Sequence, residues 1–415
     1  MNPLKKYLEY TKEHESREIY HTWCFISAVA SILSGRCWTT LGYSILHPNF
    51  FVILSGPPGI PRKSAAIKTI TDLCQPVIDE GFLNLASESL TKPRLCDELV
   101  EGEQSYKYTE KGEELEHKYM SLLTIASELS SFVKPKDDEL SKFLLNLFDG
   151  EKKYDHGTRH HGTAKLKNAT LNILAATTTE FFEGLSFQEH VRSGLSSRCI
   201  FLQVDDRKFN KPDPQIDFEL KEDLREDLMK LTEITGYIKF SDHGRKFFNS
   251  WYEAQPITVI KGTPKNMLSY CARRQTYVRK LSLILWSLDY IKGNFIKEIC
   301  EVHVKNAIEL ITEAENYMVA AYGKSGRSPD IEAINDVIAF FQAHEGEWVA
   351  RQQLVYRFAK EMKPEVLDYI LHNLAVEVRA LEVQMLAGRP MYKFIGLGKV
   401  EEEIDNTHKK VNKSE

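Results

Sequence analysis

No C-x-x-C pair occurs in these 415 residues, no internal repeat is visible, and positive charge is in short supply: 54 Lys and Arg face 59 Asp and Glu, a formal net charge of -5. Each deficit removes a class of function. The seven cysteines (Cys24, Cys37, Cys74, Cys96, Cys199, Cys271, Cys300) are scattered and odd in number. That pattern argues against a disulfide framework or a zinc site and suits reduced thiols in a cytoplasm. The longest apolar stretch near the N-terminus, Cys24 to Leu33, is too short to span a bilayer and lacks signal-peptide features, so a soluble, cytoplasmic protein with no membrane partner is expected. Without a global excess of basic charge, any contact with nucleic acid must rest on local basic patches. The length predicts two or three domains.

What is present is a buried-strand pattern running into a Gly/Pro loop and a helix: Phe51-Val-Ile-Leu-Ser-Gly56-Pro-Pro-Gly59-Ile-Pro-Arg62-Lys63-Ser64. A phosphate-binding loop works because backbone N–H groups curl around phosphates, a Lys reaches the β and γ oxygens, and a Ser or Thr hydroxyl joins Mg²⁺. Lys63 and Ser64 fill the last two roles. Counting back through G-x-x-x-x-G-K-[ST] puts Pro57 and Arg62 where the two glycines belong, and Gly56 and Gly59 fit only a loop one residue longer. Arg62 is the sharper departure, because that position needs a backbone free to take unusual φ/ψ; its guanidinium would add positive charge. The nucleotide reading therefore takes Gly56, Gly59, Arg62, Lys63 and Ser64 as contacts to ATP, with Mg²⁺ on Ser64.

Apolar periodicity divides the chain further. Residues 1–47 read as a helical preface, with segments Leu4 to Lys12 and Ile19 to Leu33. Residues 48–206 alternate short apolar runs with helical stretches, as in a three-layer α/β core with a parallel sheet; the expected strands are Phe51 to Leu54, Ser121 to Ile125, Leu171 to Ala176 and Cys199 to Val204, with a further one around Leu83 to Ser87. Residues 207–322 are helical and read as a lid, including one helix from Pro264 to Tyr290. Residues 323–329 form a Gly/Ser linker. Residues 330–397 show three helices followed by a β-hairpin, the order of a winged helix, and 398–415 read as a disordered tail. The winged helix carries Arg351, Arg357, Lys360, Arg389 and Lys393, but its third helix has Glu365, Asp368 and His372, so DNA and protein docking stand level.

The second strand ends in Ser127-Glu128, where Glu128 suits the base that orients attacking water and Ser127 a contact to Mg²⁺, direct or through water; a strand ending in a solvated Glu is the alternative. The third ends in Thr177-Thr178-Thr179, with Thr177 or Thr178 able to sense the γ-phosphate, Thr178 being preferred, or simply to satisfy backbone groups. Arg198, and after it Arg192, precedes the fourth strand where a ring ATPase carries an arginine acting on the neighbouring subunit's nucleotide; a surface ion pair is its alternative. Between acid and sensor strands, Lys153, Arg159, His160, Lys165 and Lys167 lie in a Gly-punctuated stretch that suits a hairpin touching a phosphate backbone, or a solvated loop. Its histidines lack a second ligand cluster for a metal.

With the loop Gly56-Pro-Pro-Gly59 to Lys63-Ser64, the strand Ile125-Ala-Ser-Glu128-Leu and Gly194-Leu-Ser-Ser-Arg198 in order, the chain resembles P-loop ATPases of phages, plasmids and genomic islands related to helicases and primase-helicases. Cys271-Ala-Arg273-Arg274 and Val302 to Leu310 are similar to the lid of minichromosome-maintenance-type helicases. The resemblance implies an AAA+-like core, a hexameric ring of identical subunits, a pore hairpin, and a second sensor at Arg273 or Arg274, with Arg279 a weaker match. It implies an ATP- and Mg²⁺-dependent helicase or translocase working on DNA, single-stranded for preference, beside other replication proteins. The large N-terminal DNA-binding domain of those helicases has no counterpart. A loader or initiator that uses ATP as a switch, and a nucleotide-binding interaction module without hydrolysis, are the alternatives.

Overall fold

Phe51–Ser55, Ala169–Thr177 and Cys199–Gln203 are buried at every position, the pattern of strands covered on both faces. In the computed structural model they lie side by side in a six-stranded sheet. The order across it is Cys199–Gln203, Phe51–Ser55, Ala169–Thr177, Glu113–Ala126 and Leu85–Ala86, all parallel, while Glu103–Glu110 runs antiparallel beside Glu113–Ala126. The mixed α/β fold and parallel sheet expected from the sequence are therefore present. The structure describes the chain except for residues 88–90, 111–112, 134–136, 151–152, 159–161, 184–186, 188–193, 256–263, 325–328, 360–361, 377, 387 and 397–415. The candidate Arg192 and the tail after residue 397 lie outside the described residues.

The chain divides into Met1–Ser325 and Gly326–Glu415. In the first unit, the helix Glu18–Leu33 is not a preface to the core. Every residue from Ile19 to Leu33 is buried, which a helix apolar on all faces requires, and it packs on the Phe51–Ser55 and Ala169–Thr177 strands and the helix Lys63–Leu73. Residues of the presumed preface and lid are also joined in small sheets, Cys37–Leu41 pairing with Gly236–Tyr237. The helix expected over Pro264 to Tyr290 is interrupted: Leu268–Cys271 and Arg274–Tyr290 are separate. The break turns successive arginines apart, Arg273 to Asp149 at 3.5 Å and Arg274 to Glu315 at 2.6 Å.

Lys280, on the Arg274–Tyr290 helix, ties lid to sheet. Its Nζ lies 2.7 Å from Asn49 Oδ1, 3.1 Å from the Phe148 carbonyl and 3.2 Å from the Asn49 carbonyl, just before the Phe51–Ser55 strand, and a neutral amine can still donate to two of these three acceptors. Burial pushes its pKa from 10.5 down to about 7, partly opposed by Asp149. As pH falls from about 10.5 to about 7 the unfolded chain takes up a proton that the folded one refuses, so stability should rise with pH across that window. Urea unfolding at several pH values should show this slope, and Lys280→Met should flatten it.

The second unit has helices Pro329–Ala343, Arg351–Phe358 and Pro364–Val376 and a three-stranded sheet of Val349–Ala350, Arg389–Phe394 and Leu381–Leu386. Its separate core includes Val337, Phe341, Leu354, Leu371 and Phe394. Among the described residues no helix is long and apolar enough to cross a membrane.

Candidate nucleotide site

The loop after Phe51–Ser55 opens at the C-terminal edge of the sheet, where Ser55 stands level with Thr177 on one side and Gln203 on the other. Crevices outside the carboxyl ends of parallel strands are where such sheets bind ligands. Lys63 starts the helix Lys63–Leu73 and is half-buried, its Nζ donating to the Gly56 carbonyl at 2.5 Å and to the Pro57 carbonyl at 3.3 Å. The ammonium is thus turned back over the loop mouth. Burial lowers its pKa, and the negative charge of Glu128 and Glu180 pulls it back up.

A Cβ on Gly56 would collide with the Val204 carbonyl oxygen and stand 2.9 Å from Pro61 Cγ. Tyr20, from the buried N-terminal helix, donates to the Ser55 carbonyl at 2.5 Å. The loop therefore enters under a ceiling only glycine fits. Gly56→Ala should destabilise the protein by about 3 kcal/mol, since the obstructing atom is backbone and cannot swing aside; chemical denaturation checks it.

Arg62 has φ 56° and ψ 38°, the left-handed conformation that its place in the motif demands. Its side chain does not face the loop mouth: Nε donates to Glu15 at 2.6 Å, and its carbonyl accepts from Ser16 at 3.0 Å. The expected extra positive charge over the phosphates is instead neutralised by a carboxylate from the N-terminal segment. Left-handed backbone costs an L-residue about 1–2 kcal/mol, and a partly exposed ion pair returns less than about 1 kcal/mol. Arg62→Gly should therefore raise stability by about 1 kcal/mol, read as an increase in Tm.

The acid sits one strand further away. Ala126 pairs with Ala175, so Ser127 and Glu128 leave the sheet beside Thr177, and Thr177 Oγ1 donates to Glu128 Oε1 at 2.9 Å. It is Thr177, not Thr178, whose hydroxyl meets the acid; Thr178 is half-exposed, its carbonyl accepting from the Phe181 N–H. Two strand spacings, about 10 Å, separate the loop strand from the acidic one, enough for phosphates and a water between Lys63 and Glu128. Below the loop, Ser55 donates to Gln203 at 2.6 Å, and Gln203 donates to Thr179 at 3.2 Å and to Asp205. Gln203 is not among the residues expected from the sequence, although a polar residue inside an otherwise apolar strand is its signal. Ser64 and Ser127 are exposed and Glu128 is partly so. Hydroxyl and carboxylate oxygens are the hard donors Mg²⁺ accepts beside water and phosphate, so this set fits that ion; among the described residues no cluster of His, Cys, Asp and Glu forms a dedicated metal cage.

No family model and no curated protein matches this chain. The geometry therefore carries the functional reading alone.

Arg198 and Arg273 are elsewhere. Cys199 pairs with Phe51, so Arg198 enters at the N-terminal edge of the sheet, about 15 Å of strand from the loop. Arg198 is buried, donating to Asp149, with Nη1 3.2 Å from the Gly194 carbonyl. Arg273 reaches the same Asp149. Neither faces the loop of its own chain. Asp149 also ends the helix Asp138–Asp149, just before an antiparallel hairpin of Lys153–Thr158 and Gly162–Lys167, in which Lys153 stands opposite Lys167 and Asp155 opposite Lys165. Lys167 is exposed, and Arg159 and His160 lie outside the described residues.

Proposed function

We propose that the chain is an oligomeric, Mg²⁺-dependent ATPase with an AAA+-like P-loop core, a helicase- or translocase-like engine acting on DNA in the replication of a mobile element. The observation that carries this reading is the convergence, at one sheet edge, of Lys63 folded over the Gly56 loop and Glu128 held by Thr177 across an intervening strand. Lys63 and the loop N–H groups bind phosphates, with Ser64 and Ser127 as the oxygens beside Mg²⁺, which would neutralise phosphate charge when bound. Glu128 orients the attacking water, and Thr177 fixes its carboxylate. Arg198 and Arg273, unable to serve their own loop, suit a neighbour's nucleotide, which is the support for a ring. The basic hairpin rooted next to Asp149 is the DNA-contacting element. ATP hydrolysis measured with and without single-stranded DNA tests the whole: stimulation is expected, and turnover indifferent to any nucleic acid would point to protein remodelling.

For the second unit we favour a winged helix that docks protein. Asp368 on its third helix is bound by Arg351 at 2.6 Å, and Tyr369 on that helix and Val383, Met385 and Leu386 on the hairpin are exposed. The third helix, Pro364–Val376, carries no Lys or Arg to meet a phosphate backbone, whereas exposed apolar and aromatic side chains suit a protein partner. This supports the loader or initiator version of the same ATPase, and strand displacement by the purified protein separates the two.

A further inference from the structure

Where the short strands Cys37–Leu41, Lys239–Phe240 and Glu298–Ile299 meet the helices Asp242–Glu253 and Arg274–Tyr290, a cavity of about 310 Å³ is lined by the charged Lys239, Asp242, Arg245, Arg279 and Glu298. None of these residues belongs to the loop, the acid, the sensor strand or the Asp149 cluster. Three of its cationic side chains face two carboxylates. Lys239 is paired with Glu298 at 2.7 Å and Arg245 with Asp242 at 2.6 Å. Arg279 is left over: it has no carboxylate partner among the described residues. Its Nη1 donates to the Thr40 carbonyl at 2.8 Å, its Nε has no hydrogen-bond partner, and the guanidinium lies over the rings of Phe248 at 4.1 Å and Phe240 at 4.8 Å.

A guanidinium resting against two aromatic rings loses part of its hydration without gaining a counter-charge, an arrangement an anion relieves. Burial pushes its pKa down to about 10, in the direction that an uncompensated charge requires. The hydroxyls of Thr40, Ser241 and Tyr237 add donors, and Tyr237 offers a half-exposed ring at the rim. A concave site with a few convergent polar groups and a perturbed ionisable one is the general form of a small-ligand pocket.

We propose that this cavity is a second ligand site, separate from the nucleotide loop, for a small organic monoanion whose carboxylate or phosphodiester group sits against Arg279 and whose body rests on the Tyr237 ring. The single unmatched positive charge sets the ligand's charge. A polyphosphate would face Asp242 and Glu298 and is disfavoured, which distinguishes the site from the triphosphate loop.

The test is calorimetric titration of the full chain carrying Lys63→Ala, which silences the loop, with benzoate and with dimethyl phosphate, and with pyrophosphate as polyanion control. At least one monoanion should bind once per chain, more tightly than pyrophosphate, and the better of the two identifies the head group. Arg279→Gln should weaken binding about tenfold or more. Because Arg279 also packs against two rings, two surface variants decide the matter if that protein fails to fold: Lys239→Gln should weaken binding, and Glu298→Gln should tighten it. Absence of binding by both monoanions at millimolar concentration, or affinities unmoved by the Lys239 and Glu298 substitutions, overturns the proposal.

Discussion

Glu128→Gln should lower ATP turnover by about 10²–10³-fold while ATP still binds, and Lys63→Ala should weaken ATP binding itself by about tenfold or more. The two residues lie at one sheet edge, and the proposed mechanism gives them different work. Lys63 is a charge on the loop whose hydrogen bonds, among the described residues, go to the Gly56 and Pro57 carbonyls. A phosphate oxygen would replace neutral acceptors with a charged one, and a charge-assisted bond is worth about 1.5–3 kcal/mol. Glu128 stands across the intervening strand, where in the proposed mechanism it would act on water and not on the triphosphate; removal of a positioned base costs about 10²–10⁴ in rate. Gln keeps the shape and can still accept from Thr177, so the fold around it should survive. Equilibrium binding of a fluorescent ATP analogue and steady-state phosphate release separate the two effects. Undiminished turnover in Glu128→Gln would remove the acid from the mechanism, and undiminished turnover in Lys63→Ala would sink the ATPase reading.

The sequence made the loop legible because a wholly apolar strand ran straight into glycine, proline and Lys-Ser, a local signal. What it hid was settled at long range. Arg62 looked like damage to the motif, since nothing nearby showed that Glu15, 47 positions away, would take its side chain while the backbone kept the left-handed turn. Thr177 and Thr178 were indistinguishable as hydroxyls; only strand register puts the first against Glu128. Ile19 to Leu33 carried the information that it was buried, since it is apolar all round, yet its position before the loop made it look like an appendage. The strand Glu103–Glu110 and the extension of the expected Ser121 to Ile125 strand back to Glu113 escape the sequence because their polar residues give no apolar alternation, although Tyr106, His117 and Tyr119 pack together there. Arg273 matched a lid motif, and the helix break that sends it to Asp149 has no local marker such as proline.

Arg198→Ala should cost about 10³-fold in turnover with ATP binding retained, the lower range for an arginine that stabilises a transferring phosphoryl group. In the single chain the side chain is committed to Asp149 and the Gly194 carbonyl. To serve a neighbouring subunit it must exchange that carboxylate for a phosphate, and so must Arg273. The exchange has a mechanical consequence. Asp149 is the last residue of its helix and lies four positions before the basic hairpin, so whether the arginines hold Asp149 or the neighbour's nucleotide bears on the hairpin's root. Complementation tests this. Lys63→Ala chains lack a working loop but keep Arg198, and Arg198→Ala chains have the loop but lack the arginine. Mixed, they should regain turnover through sites built from both. A purely structural role for the Arg198–Asp149 pair predicts instead a lower Tm for Arg198→Ala and mixtures as inactive as their parts.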